Sequence, residues 1–316
     1  MLPRPPTDRA LDVVGIGATA VDSVYLLPAC PSPNGSFDKM RIDRHFVSCG
    51  GQVATALATC ARFGLTSKFA GVTGADENGI RVRRELNERG VGLDYTIIRD
   101  APNQYAVILV DERSGERIVL WDRDERLKLR DDEIPTALLR AARVVHLDDV
   151  DLDGAILAAE AACAAGTPVT SDIDSSTDRT LDLVKAVTFP IFAEHVPTAL
   201  TGIEDPYAAL QALRRVHDGV LCVTLGSRGA MALEGDRLHH APAFAVDAVD
   251  TTGAGDVFRG AFIYAYLNGL PVAHALRLAN AAAAVSCTRL GAMASVPSRE
   301  EAEQLMAEVP VRSAGL

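Results

Sequence analysis

The chain has 316 residues, 48% hydrophobic and 23% charged, the balance of a folded globular protein with room for one large domain or two, and not that of a disordered chain. Its 31 lysines and arginines against 42 aspartates and glutamates leave a net charge of -11, which argues against a general affinity for nucleic acid or anionic membrane. Six cysteines (Cys30, Cys49, Cys60, Cys163, Cys222, Cys287) form no CxxC pair and have no histidine at ligand spacing, so neither a zinc site nor a disulfide framework is signalled. The opening MLPRPPTDRA lacks the apolar stretch of a signal peptide, and no run approaches the ~20 apolar residues of a membrane span. A cytoplasmic protein with a short proline-rich tail is expected.

The first element is a β-rich apolar run at residues 11–17 that ends in glycines, as a buried parallel strand does. A helix follows at 52–63 with Gly64 as its stop, then a strand at 67–71 and an amphipathic helix at 78–89 stopped by Gly90. Strands at 144–147, 169–172, 191–192 and 220–225 alternate with helices at 153–165, 177–186 and 206–216. Such alternation marks βαβ units and a mostly parallel sheet between helices. The last third is helical, at 254–267, 272–287 and 298–308.

Two segments break this rhythm. Residues 21–27 with 39–47, and 105–111 with 117–122, are read as strands joined by turn-rich loops, the second pair a hairpin around DERSGER with Gly115 in the turn. Strands without crossover helices do not fit inside a doubly wound sheet. They predict a small separate sheet, a lid or an interface, whose outer face needs a ligand or a second chain to cover it.

The chemistry concentrates in VDTTGAGDVFRGAF, residues 249–262. Gly253, Ala254 and Gly255 allow a sharp turn and bring consecutive N–H groups close to a ligand. A helix starts at once, so those donors sit at the positive end of its dipole and can cradle a phosphate. Asp256 beside them can take the proton of a hydroxyl that attacks a phosphoryl group. Taken alone, the stretch is equally a tight turn with an N-capping aspartate.

Five further motifs stand in order along the chain: GATAVDSVYLLP, GGQVATALATCARFG, GVTGADENG, VTLGSRGA and LANAAAAVSCTRLGA. With DTTGAGDVFRGAFI they resemble the ribokinase-like, or PfkB, family of carbohydrate kinases over roughly residues 11–300. The resemblance implies an α/β fold, a doubly wound, mostly parallel sheet flanked by helices with a small β-sheet lid. It also implies one domain over 9–312, lid strands inserted at about 21–48 and 104–123, and tails at 1–8 and 313–316. The activity implied is ATP-dependent phosphorylation of a hydroxyl, expected to be a primary one, of a small sugar or sugar derivative.

Residue by residue, the resemblance makes Asp256 the base and Gly253, Ala254 and Gly255 the anion hole. Asp22, Gly50 and Gly51 would hold the sugar. Thr224, Gly226, Ser227 and Gly229 would border the nucleotide, with Asn280 near the adenine, and Asp250 and Thr252 with the 288–292 loop could hold K⁺. Read without the family, Asp22 is also a strand-end turn residue, Asn280 a surface helix residue and 227–229 a plain hairpin turn. Where relatives carry Asn-x-x-Glu before LTG, this chain has Ala193 and Val196 in AEHVPTALTG, so Mg²⁺ would ride on the ATP phosphates and water, with Glu194 the one acidic candidate. Thr55 replaces the usual asparagine after the glycine pair. That change, with SCTR and GERI, resembles the sulfofructose kinase and ketohexokinase-like branch.

Arg117, Arg123, Arg126, Lys128 and Arg130 near the lid could clamp a phosphate or sulfonate, or pair locally with Asp122, Asp124 and Glu125. Trp121 could stack on a sugar or cover a second subunit's lid, and a homodimer through the lid is expected. A nucleoside kinase of the same fold and a catalytically silent sugar-binding regulator are the rivals. GIGATA at 15–20 matches the dinucleotide pattern GxGxxA, but the next residues continue as a strand where that motif needs a helix.

Overall fold

A computed structural model describes residues 2–29, 31, 39–113 and 117–309. Among them the main sheet has nine strands, ordered Arg237–Ala241, Ala230–Glu234, Leu221–Thr224, Phe189–Phe192, Val169–Ile173, Ala142–Asp148, Leu11–Ile16, Ser67–Phe69 and Val91–Gly92. Neighbours from Leu221–Thr224 to Val91–Gly92 pair in parallel, and the hairpin at the other edge is antiparallel. Helices Gln52–Arg62, Ala254–Leu267 and Val272–Cys287 bury Leu57, Phe262 and Leu276 on one side of this sheet. Leu152–Ala164, Thr180–Ala186 and Pro206–Leu213 bury Ala155, Leu183 and Leu210 on the other. Strands covered on both faces must be apolar at consecutive positions, which is why Val13–Val14 and Val144–Val145 run without alternation.

The strands without crossover helices form a second sheet, ordered Arg44–Gly50, Ala20–Leu27, Tyr105–Asp111, Arg117–Asp122. Its two antiparallel pairs are joined by parallel pairing of Ala20–Leu27 with Tyr105–Asp111. The strand expected at 39–47 instead runs Arg44–Gly50, because register matches Leu26 with Arg44 and residues 39–42 lie beyond their partner's end. Gly115 and Cys30 lie outside the described residues, as do 310–316.

Several short elements were not legible in the sequence: the paired strands Val72–Gly74 and Ile97–Arg99, the helices Thr136–Ala141 and Val196–Thr201, and the hairpin of Ala230–Glu234 with Arg237–Ala241. Each spans too few residues to set up a period. Among the described residues no helix is long and apolar enough to cross a membrane.

Candidate active site

In a doubly wound sheet, ligands bind beyond the carboxyl ends of the parallel strands. Two cavities open at that edge, of about 610 and 600 Å³. The loop at 251–256 lies between them. Thr252, Gly253 and Asp256 line the first cavity, while Thr251, Ala254 and Gly255 line the second. From Ala254 onward the helix turns about 100° per residue, which carries Asp256 to the first cavity while Ala254 and Gly255 stay at the second.

The small sheet supplies one wall of the first cavity. Side chains alternate between the faces of a strand, and the pairs Ala20 and Asp22, Gln104 and Ala106, and Val119 and Trp121 all reach this wall. Register places Asp22, Ala106 and Trp121 in one row across three strands. Asp22 is 8% exposed, and its carboxyl is pushed up to about 6 by burial and then by the charge of Asp250. Gly50 passes so near it that a Cβ there would stand 2.8 Å from Asp22 Oδ2. Gly51, at φ +100°, starts the helix Gln52–Arg62. Gln104 Oε1 is buried without a hydrogen-bond partner among the described residues.

Facing this wall stand Asp149, Asp151, Asp153 and Asp174. Asp149 accepts the N–H groups of Asp174 and Ser175, and Asp151 those of Leu129 and Gly154. The basic residues near the small sheet are engaged locally: Arg126 pairs with Asp124 at 2.7 Å, Lys128 with Glu125 at 2.6 Å, and Arg123 donates to the Leu127 carbonyl. Of these, Lys128 alone also borders the cavity.

Asp256 is partly exposed to the first cavity. Burial pushes its carboxyl up to about 7; Arg259 pulls the other way, and the charges of Asp148, Asp174 and Asp22 add to the rise. Gly253 takes φ +77° at the helix entrance, a left-handed conformation in which a Cβ would stand 2.8 Å from that of Ala292. The first N–H groups of a helix have no partner within it and are free to meet an anion. Ala254 N–H also makes a long 3.3 Å bond to the Thr251 carbonyl. Asp250 ties this loop to the 288–292 loop by accepting from Thr252 N–H at 2.9 Å and Gly291 N–H at 2.8 Å.

The second cavity is lined by Thr224, Gly226, Ser227, Gly229 and Asn280 among others, with Phe244 and Phe258 giving it an apolar wall. Asn280 is buried and donates from its side chain to the carbonyls of Ala241 and Pro242, so it anchors the chain that backs this cavity. Glu194 lines neither cavity. It pairs with Arg228, and its Oε2 lies 4.0 Å from where a Cβ on Gly226 would stand, which puts it at the rim.

Three residues near the loop escaped sequence reasoning. Asp148 accepts the N–H of Ala18 at 2.6 Å and is pushed up to about 6 by burial. Asp172 and Arg259 form a buried ion pair, Oδ1 to Nη2 at 2.6 Å. One signal for the last was present: Arg259 is the one charged residue in the apolar run 257–267.

A sequence profile described as pfkB family carbohydrate kinase matches residues 12–299. An ATP-dependent ribose-1-phosphate kinase of Halopiger xanaduensis is 32% identical over 262 residues, 83% of this chain and 87% of that protein. A nucleoside kinase of Methanothermobacter thermautotrophicus is 26% identical, over 92% of this chain and 94% of its own length. The structure of Arabidopsis thaliana ribokinase complexed with ribose and ATP superposes with a TM-score of 0.80 at 26% identity, covering 94% of this chain and 98% of that one.

Proposed function

The chain belongs to the pfkB family of carbohydrate kinases, and from that premise we propose that it transfers the γ-phosphoryl group of ATP to a primary hydroxyl of a small uncharged sugar. The observation that carries this reading is the loop with one side in each of two cavities, a carboxylate facing one and glycine backbone facing the other. The sugar would occupy the first cavity, held by Asp22 and the Gly50–Gly51 backbone, and ATP the second, along Thr224, Gly226, Ser227 and Gly229 with its base toward Asn280. Asp256 would accept the hydroxyl proton as the oxygen forms its bond to the γ-phosphorus and the bond to the leaving ADP breaks. The amides of Gly253, Ala254 and Gly255 would meet the charge on the transferred group.

Mg²⁺ supplies charge neutralisation on the phosphate oxygens. Among the described residues no three Asp, Glu, His or Cys side chains gather to hold an ion by themselves, which suits a cation carried by the nucleotide and water, with Glu194 at the rim. For K⁺, the Asp250 carboxylate keeps lone pairs beyond its two amide bonds, so Asp250, Thr252 and the 288–292 loop fit an oxygen-ligated ion that would brace the two loops. We place the enzyme in the cytoplasm, where ATP and unpaired thiols coexist.

The uncharged substrate follows from charge. Asp22, Asp149, Asp151, Asp153, Asp174 and Asp256 line the first cavity against Lys128, itself paired with Glu125. A sugar phosphate or sulfonate would be repelled there. This separates the chain from the activity named for its Halopiger relative, and from a sulfofructose kinase. An ATP-consumption screen over pentoses, hexoses, sugar phosphates, sugar acids and nucleosides, with and without K⁺, tests the reading. Turnover of neutral sugars is expected. Turnover confined to nucleosides or anionic sugars, or sugar binding with no ATP consumption, would contradict it.

Trp121 is the single tryptophan, is 65% exposed, and stands at the cavity wall. Its fluorescence is expected to change saturably with substrate sugar, and Trp121→Ala to raise the KM for sugar about 2–10-fold with little effect on kcat. An unchanged KM would remove Trp121 from the sugar site. On its other face the edge strand Arg117–Asp122 exposes Ile118 and Leu120, a face that a second copy would cover. A dimer is therefore expected in sedimentation equilibrium, and a monomer at all concentrations would contradict it.

A further inference from the structure

Arg259 lies three residues after Asp256 and four after Gly255, one helical turn below both. Its side chain is 3% exposed and lines neither cavity. The guanidinium points back at the loop, for a Cβ on Gly255 would stand 2.7 Å from Arg259 Nη1. Its Nη2 pairs with Asp172 on the strand Val169–Ile173 and donates to the Ile191 carbonyl on the next strand at 3.3 Å. The head group is thus held from two central strands and one helix, directly under the segment between the cavities. A buried ion pair adds little net stability over apolar residues of the same volume, so folding alone gives this one no strong reason to exist.

We propose that Arg259, clamped by Asp172, is a positioning residue for phosphoryl transfer: the fixed positive charge under the loop that keeps Asp256 ionised and the 253–255 amides at their height. The proposal rests on the reading of Asp256 as the base. The carboxylates around Asp256 oppose its ionisation: Asp22 from the small sheet, Asp148 from the end of the strand Ala142–Asp148, and Asp172 and Asp174 from the strand beside it. The remaining titratable neighbours of the guanidinium are His146, whose imidazole burial holds neutral, and Cys222, whose thiol burial holds protonated. Arg259 is therefore the counter-charge under the loop, and a glycine at 255 leaves it room to rise there.

The test is the acid limb of kcat/KM for a turned-over sugar, expected near pH 7 in the wild type. Arg259→Met should move that limb up by about one to three pH units, as loss of a nearby opposite charge does. Arg259→Lys should restore it most of the way. Asp172→Asn, which leaves the guanidinium without its partner, should move it down. Both Arg259→Met and Asp172→Asn will lose thermal stability, so a merely structural role predicts lower activity with the limb unmoved. A second readout does not need turnover: the difference in unfolding free energy between each protein and its Asp256→Asn counterpart, followed across pH, bends at the pKa of Asp256. If the bends shift oppositely while no sugar is phosphorylated, the kinase reading fails and the role in transfer fails with it, while the electrostatic hold of Arg259 on Asp256 stands. If neither limb nor bend moves, the inference is overturned while the kinase reading stands.

Discussion

Asp256→Asn is expected to lower kcat about 10²–10⁴-fold, the usual contribution of a positioned general base, while sugar binding read by Trp121 fluorescence stays intact. The same substitution should stabilise the fold at alkaline pH. The carboxyl of Asp256 goes from an ordinary 3.8 to about 7 in the folded chain, chiefly through burial, so the folded state binds that proton more tightly than the unfolded state does. The stability attached to it is fully present below about pH 4 and is lost as pH rises through about 7. Asparagine has no such proton to lose. At about pH 8 the variant should therefore melt above the wild type, by an amount on the order of a few kcal/mol, and at about pH 4 the two should nearly coincide. Melting curves at both pH values, beside initial rates, check this. A variant with normal turnover, or one less stable at the higher pH, would remove Asp256 from the role given to it.

Gly253→Ala is expected to have the second-largest effect. At φ +77° any side chain is strained, and here the new methyl would also meet Ala292 at 2.8 Å, forcing the loop at 251–256 off the loop at 288–292. Loss of aligned amide donors costs about 10²–10³ in kcat where such donors stabilise a transition state. Strain alone can be separated from this. Gly202, at the end of the helix Val196–Thr201, has a similar φ of +71° but open space around it. Gly202→Ala should lower the melting temperature with kcat nearly unchanged, whereas Gly253→Ala should lower both. Equal kcat values for the two variants would mean that the Gly253 backbone has no part in transfer.

The long helices Ala254–Leu267 and Val272–Cys287 were legible to the residue, because an apolar run of several turns bounded by glycine or proline leaves little freedom in placing its ends. The separate small sheet was legible from two strand pairs with no helix between their members. Its internal pairing was not, since the parallel contact of Ala20–Leu27 with Tyr105–Asp111 joins residues some 84 apart and depends on how the chain returns. At the site, the residues with distinctive local chemistry could be picked out: Asp22 and the Gly50–Gly51 pair, the 250–256 loop, and the turn at 226–229. Of these, Asp22, Gly51, residues 251–256, Gly226, Ser227 and Gly229 line one of the two cavities, Gly50 passes close to Asp22, Asp250 bonds Thr252, and Arg228 turns to Glu194. Asp148 and Asp172 were beyond reach for a different reason. They sit at the ends of strands like other polar residues, and their significance is the pairing of each with a partner more than 80 positions away, Ala18 and Arg259. Glu194 shows the converse, an acidic residue singled out by elimination whose side chain turns to Arg228.

The account stands on the division of labour across the 251–256 loop, alcohol on one side and donor phosphates on the other. A crystal structure of the wild type with a turned-over sugar and a non-hydrolysable ATP analogue measures this directly. The predicted result is a sugar hydroxyl within hydrogen-bonding distance of the Asp256 carboxylate in the first cavity, with the terminal phosphate against the Gly253–Gly255 backbone and the base toward Asn280. Both ligands on one side of the loop, or a sugar bound with Asp256 turned away from its hydroxyls, would contradict it.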